Sequence, residues 1–194
     1  MQYVYRKDIK YNERARPTRR AICLVTTDCS FVYLTAGNRC LYGDEILASQ
    51  AHDDVPTQYI MVREPDADIT EVALRGNDVS SNPVGFARAA MNLYRETGCS
   101  ASDLFGRTGA SLYQLETVLW LARVAPAVIR DAFLAGDVVW QAIGSAARSH
   151  EYMHELLSRI AKGIDVSTVA SARLIASAVK LPSLSSLYDP EENE

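Results

Sequence analysis

The feature that most limits how this chain can fold is a change of hydrophobic period part-way along it. From residue 84 onward, apolar residues recur at the 3.6-residue spacing of amphipathic helices, over 84–97, 101–108, 111–123, 127–134, 139–147, 150–161 and 166–179. Residues 20–62 carry short apolar runs bounded by turn residues instead. Ala21 to Thr26, Phe31 to Thr35 after Thr-Asp-Cys-Ser, and Tyr59 to Val62 after Val55-Pro56 read as strands, with Leu41 to Ala51 as a helix before the third. Asn82-Pro83 is a natural boundary, because the residue before Pro is pushed out of the helical region while Pro itself suits a first helical turn. The pattern predicts an α+β protein, a small mixed sheet and then an all-α domain.

At 194 residues and 48% hydrophobic, the chain can bury one sizeable core or two small ones. Its apolar stretches are broken by charge within about ten residues, too short to span a bilayer. The start of the chain, with Arg6, Lys7 and Lys10, lacks the apolar stretch of a signal peptide, so a cytoplasmic location is expected. Cys23, Cys29, Cys40 and Cys99 have neither CxxC spacing nor a nearby His pair, which predicts reduced, mostly buried thiols. The net charge of −4 hides an asymmetry. Residues 1–20 form a basic arm, with Arg14, Arg16, Arg19 and Arg20 suited to holding phosphates or to being a solvated leader, and residues 181–194 form an acidic tail.

Residues 98–121 have the spacing of a helix-turn-helix. Ser100 and Asp103 match a capping box, Thr108-Gly109 ends the first helix, and Ser111 caps the second. On that second helix Leu112, Leu115, Val118, Leu119 and Ala122 share an apolar face, leaving Tyr113, Gln114 and Thr117 for base edges. A plain helical hairpin packed in a core gives much the same pattern. Charges between Pro83 and Ser145 balance, and Glu116 sits inside the second helix where it would repel phosphates, so DNA binding is expected to be weak and salt-sensitive unless the basic arm or dimerisation helps.

Ala36-Gly37-Asn38-Arg39 after a strand, Val55-Pro56, Glu71-Val-Ala-Leu near Gly76-Asn77, Asn82-Pro83, the helix pair, and Ala125-Pro126 followed by Leu134-Ala-Gly136-Asp-Val resemble, in that order, the ParB family. The resemblance covers roughly residues 15–147 and implies a sheet domain of the ParB/sulfiredoxin superfamily over 21–82, followed by a helix-turn-helix domain over 83–180. It further implies binding of ATP or CTP with Mg2+ at Gly37, Asn38, Arg39 and Asn77, and hydrolysis involving Arg39 and Glu71. DNA would contact Ser111, Tyr113, Gln114, Thr117 and the basic arm.

Two departures accompany the match. The family's phosphate loop, Gly-Glu-Arg-Arg, would here be Gly37-Asn38-Arg39-Cys40, with one Arg kept, and of its Glu-Asn-x-x-Arg only Asn77 carries over. Gly37 would let backbone approach a phosphate and Arg39 would fork onto it, provided that a helix starts just after the loop. Cys40, beside Arg39, is either a thiol of lowered pKa or a buried Cys opening a helix. Glu64, Asp66, Asp68 and Glu71 either gather a metal or form a solvated acidic loop, and His150 and His154 share a helix face without an identified third ligand. After Val179 the chain offers only a short tail, which sets it apart from partition proteins with a C-terminal dimerisation domain. Short plasmid-encoded members, including fertility-inhibition proteins acting on conjugative transfer with nucleotide-hydrolysing and DNase activities, are similar in size and layout, and imply a protein partner in a partition or transfer system. The alternative is a non-enzymatic DNA-binding regulator or adaptor with a degenerate nucleotide site.

Overall fold

A computed structural model describes residues 2–27 and 30–179. Cys29 and the acidic tail lie outside the described residues. The elements are β1 (Tyr3–Tyr5), α1 (Arg19–Thr26), β2 (Phe31–Leu34), β3 (Cys40–Tyr42), α2 (Asp44–Ser49), β4 (Pro56–Met61), α3 (Ala67–Asn77) and α4 (Pro83–Thr97). After them come α5 (Ala101–Thr108), α6 (Leu112–Arg123), α7 (Ala127–Ala135), α8 (Trp140–Ala146), α9 (His150–Ala161) and α10 (Val169–Ala178). The fold is α+β, and the chain divides into two compact units after Leu115. Asn82-Pro83 opens α4 within the first unit, where the Asn82 side chain accepts from the Gly85 amide.

In unit 1 the strands lie in the order β1-β4-β2-β3, with β2 and β4 parallel and the two outer pairings antiparallel. Val32 and Leu34 of β2 point into a core with Ile9, Ala21, Cys40, Ile46 and Leu47. Full burial of side chains such as Leu34 and Leu47 contributes about 1.5–3 kcal/mol each.

Three expectations need correction here. Ala21 to Thr26 is helical, because the Thr18 hydroxyl accepts from the Ala21 amide at 3.0 Å and starts a helix that a short apolar run alone does not announce. The helix expected from Leu41 begins only at Asp44, since Cys40–Tyr42 pairs with β2 and Gly43, at φ 107°, turns the chain. The basic arm is folded over much of its length: β1 pairs with β4, and the Lys10 backbone donates to Asn38 O and accepts from the Cys40 amide.

In unit 2, α7 to α10 pack around Ile129, Phe133, Ile143, Tyr152, Leu156 and Ile175, and the Tyr152 hydroxyl donates to the Ala172 carbonyl at 3.0 Å. Among the described residues no helix is long and apolar enough to cross a membrane.

Candidate functional site

The loop expected to hold phosphate is a hairpin turn joining β2 to β3. The residue in the left-handed region is Asn38, at φ 58°, and not Gly37, around which a side chain would meet nothing closer than Thr35 Oγ1 at 4.0 Å. Arg39 leads into a strand, so no helix N-terminus stands behind the loop as phosphate binding there requires. Gly43 is the glycine between a strand and a helix, and Asp44-Glu45-Ile46 come after it without an arginine.

Arg39 nevertheless belongs to a site. Its Nη1 donates to Glu71 Oε2 at 3.0 Å and its Nη2 to Asp68 Oδ1 at 3.3 Å. Glu71 also accepts from Arg75 Nε at 3.4 Å, and Arg75 Nη2 reaches Asp44 Oδ2 at 2.7 Å. Arg75 and Asp44 are only 3% and 5% exposed. Arg75 Nη1 is buried and has no hydrogen-bond partner.

Arg39, Asp44, Glu71 and Arg75 line a cavity of about 220 Å³ that also includes Lys10, Cys40, Gly85 and Arg88. Gly85 lies in the first turn of α4, and a Cβ there would run into Arg75 Nη1. Four cations against Asp44 and Glu71 give the cavity a positive balance. Burial pushes the Glu71 carboxyl above its ordinary value despite Arg75 and Arg39, whereas for Arg75 burial is outweighed by Asp44 and Glu71, which keep the guanidinium charged. Burial, reinforced by Asp44, raises the Cys40 thiol well above its usual range, the reverse of an activated cysteine.

The sequence singles out Arg39 and Glu71 as candidate catalytic residues, and the structure brings the two into contact, but Arg75 was missed. Its signal was the Glu71-x-x-x-Arg75 spacing, which puts both side chains on one helix face. Asn77 does not line the cavity; its side chain donates to the Ala73 carbonyl at the end of α3. The supposed acidic loop is a 3-10 turn, Glu64–Asp66, running into α3, with Asp68 and Glu71 committed to arginines. Among the described residues no group of three or more His, Cys, Asp or Glu side chains gathers to hold a metal ion. His150 and His154 face each other with Nε2 atoms 3.2 Å apart, without such a third donor.

The helix pair has the expected local chemistry at its ends. Ser100 and Asp103 form a reciprocal capping box on α5, Gly109 takes φ 69°, and Ser111 with Gln114 form a second box on α6 through bonds of 2.8 and 3.2 Å. Tyr113 is exposed and Gln114 is half-buried and engaged with the Ser111 amide. Thr117 is only 2% exposed, because the buried face of α6 runs through Leu115, Val118 and Leu121, and Leu112, expected inside, lies outside. Thr117 therefore cannot meet a base edge. Arg14, Arg16 and Arg19 are exposed, and Arg20 pairs with Asp78 at 2.8 Å.

No protein-family model matches the chain, and no curated protein does. Among solved structures it is similar to the C-terminally truncated chromosome-partitioning protein ParB from Caulobacter crescentus, crystallised with the centromeric parS site. That likeness has a TM-score of 0.44 and 11% identity, over 93% of this chain and 99% of that one.

Proposed function

We propose that this is a DNA-associated protein whose first unit binds the phosphates of a nucleoside triphosphate, ATP or CTP, in the Arg39–Arg75 cavity, and acts as a binding module. The observation that carries the reading is Arg75 Nη1, a buried cationic donor without a partner beside the first turn of α4. A buried donor left unmatched costs about 1–3 kcal/mol, more when charged, and a phosphate oxygen would remove that cost. Lys10, Arg39 and Arg88 supply the remaining charge. DNA would be met by the exposed start of α6, with Ser111, Tyr113 and Gln114, and by Arg14, Arg16 and Arg19. The sequence resemblance and the two capping boxes support that part.

A second reading, turnover of the nucleotide, is favoured by Glu71, a carboxylate on the cavity wall between Arg39 and Arg75 whose pKa is raised by burial, as a general base requires. Titration calorimetry with CTP, ATP and inorganic tripolyphosphate, beside phosphate release with and without plasmid DNA, separates the two. Binding without release supports the module, release lost in Glu71→Gln supports turnover, and nicking of the plasmid would add DNA cleavage. No binding of any of the three at low salt overturns the phosphate site.

A further inference from the structure

We propose that a second cavity in unit 1, of about 170 Å³, binds a small organic cation, a protonated amine or amidine of about one-ring size, with Glu45 as its counter-ion. This goes beyond phosphate binding and does not depend on it. Glu45 is 9% exposed, and its Oε1 is buried without a hydrogen-bond partner. Among the described residues no lysine or arginine pairs with it. Arg20 on the same wall is occupied, holding Asp78 at 2.8 Å, and Asp78 also accepts from the Tyr42 hydroxyl. The walls therefore carry one more carboxylate than cation, a balance that repels phosphate and favours a positive ligand.

The remaining wall suits the body of such a ligand. Tyr33 and Tyr42 meet edge to face, with ring centroids 6.1 Å apart, and Phe31 lines the cavity while 47% exposed. Ring faces attract cations, most strongly where water is displaced. A cavity of about 150 Å³ holds benzene, so the space here fits one ring or a short amine. Gly43 fixes the floor: at φ 107° it passes Val32 so closely that a Cβ would lie 2.8 Å from Val32 Cγ1, and this approach places Glu45 on the cavity wall. Burial pushes the Glu45 carboxyl above its ordinary value, and an ammonium beside it would restore the ionised form.

The test is titration of the full chain at pH 7.5 with benzylamine, using benzyl alcohol and benzoate as neutral and anionic controls of the same size. The expected result is binding of benzylamine alone, weakened at least about tenfold by Glu45→Gln, since a hydrogen bond to a charged group contributes about 1.5–3 kcal/mol. Phe31→Ala should weaken it by about two- to fivefold, which keeps the test decisive if Glu45→Gln fails to fold. Tripolyphosphate affinity measured on the same samples reports on the other cavity and should stay unchanged in both variants. Absence of benzylamine binding, equal binding of benzyl alcohol or benzoate, or full retention in both variants would overturn the proposal.

Discussion

The buried pair Asp44–Arg75 offers the sharpest test of how unit 1 holds its site. The two side chains are 2.7 Å apart and at most 5% exposed, so neither can recover water when its partner is removed. Asp44→Ala leaves Arg75 charged, with Glu71 at 3.4 Å as its remaining acceptor. Breaking a buried pair in this way costs about 3–5 kcal/mol. Domains are stable by only about 5–15 kcal/mol, so the loss is a large share of the total. With a urea dependence of about 2 kcal/mol per M, the middle of the usual range, the midpoint should fall by roughly 1.5–2.5 M. The assay is pulse alkylation of Cys40 across a urea series, read by mass spectrometry, because Cys40 is buried in the same core. Replacing both partners by apolar residues, Asp44→Leu with Arg75→Met, removes the desolvation cost as well as the attraction and should recover most of the loss. A shift below about 0.3 M for Asp44→Ala, or a double variant as weak as the sum of its singles, would show that the pair is not the buried contact described here.

Four further outcomes are expected from the geometry. Gly85→Ala should cost about 1–3 kcal/mol of stability and weaken tripolyphosphate binding, since the new methyl displaces Arg75 Nη1; unchanged calorimetry on both counts would contradict this. In native protein Cys23, which is exposed, should react with a thiol reagent while Cys40 stays protected at pH 8, because burial keeps its proton on; rapid labelling of the Cys40 peptide is the adverse result. A carboxyl whose folded value is raised binds more protons in the native than in the unfolded state, so the Glu45 contribution to stability is greatest below the ordinary glutamate range and falls as pH rises through the window up to its raised value. Glu45→Gln should flatten that decline in thermal melts between pH 4 and 7, and an unchanged profile would assign it elsewhere. Tyr113→Ala should lower DNA affinity in low-salt anisotropy while Thr117→Ser leaves it unaltered, and the opposite ranking would mean that α6 presents another face.

The helices from α4 onward were legible because their burial repeats with the helical period and their ends carry the expected chemistry: Asn82 capping α4, the box at Ser100, glycine at 109. The illegible elements have physical causes. The buried face of α3 includes Ala67, Val72, Arg75 and Gly76, and a buried arginine in that stripe breaks the hydrophobic pattern by which helices are recognised. Ala21 to Thr26 is a short apolar run, ambiguous by period, and its state is decided by Thr18 three residues upstream of Ala21. β1 was hidden by its basic neighbourhood, although Tyr3-Val4-Tyr5 alternates as an edge strand does.

The same reasoning explains why the candidate site was half visible. A glycine two residues before an arginine draws attention to residues 37–39, yet a phosphate loop needs a helix start immediately after it, and here the chain enters β3 instead. The strand-to-helix glycine is Gly43, and the two acids after it are drawn into different environments by adjacent helical positions. Asp44 is neutralised by Arg75, in the cavity where Arg39, Lys10 and Arg88 also converge, whereas Glu45 lies on the wall of the other cavity with one oxygen unmatched. Two consecutive carboxylates thus separate a positive pocket from a negative one. That division argues against a single triphosphate spread over both, and for two ligands of opposite charge recognised on either side of one short helix.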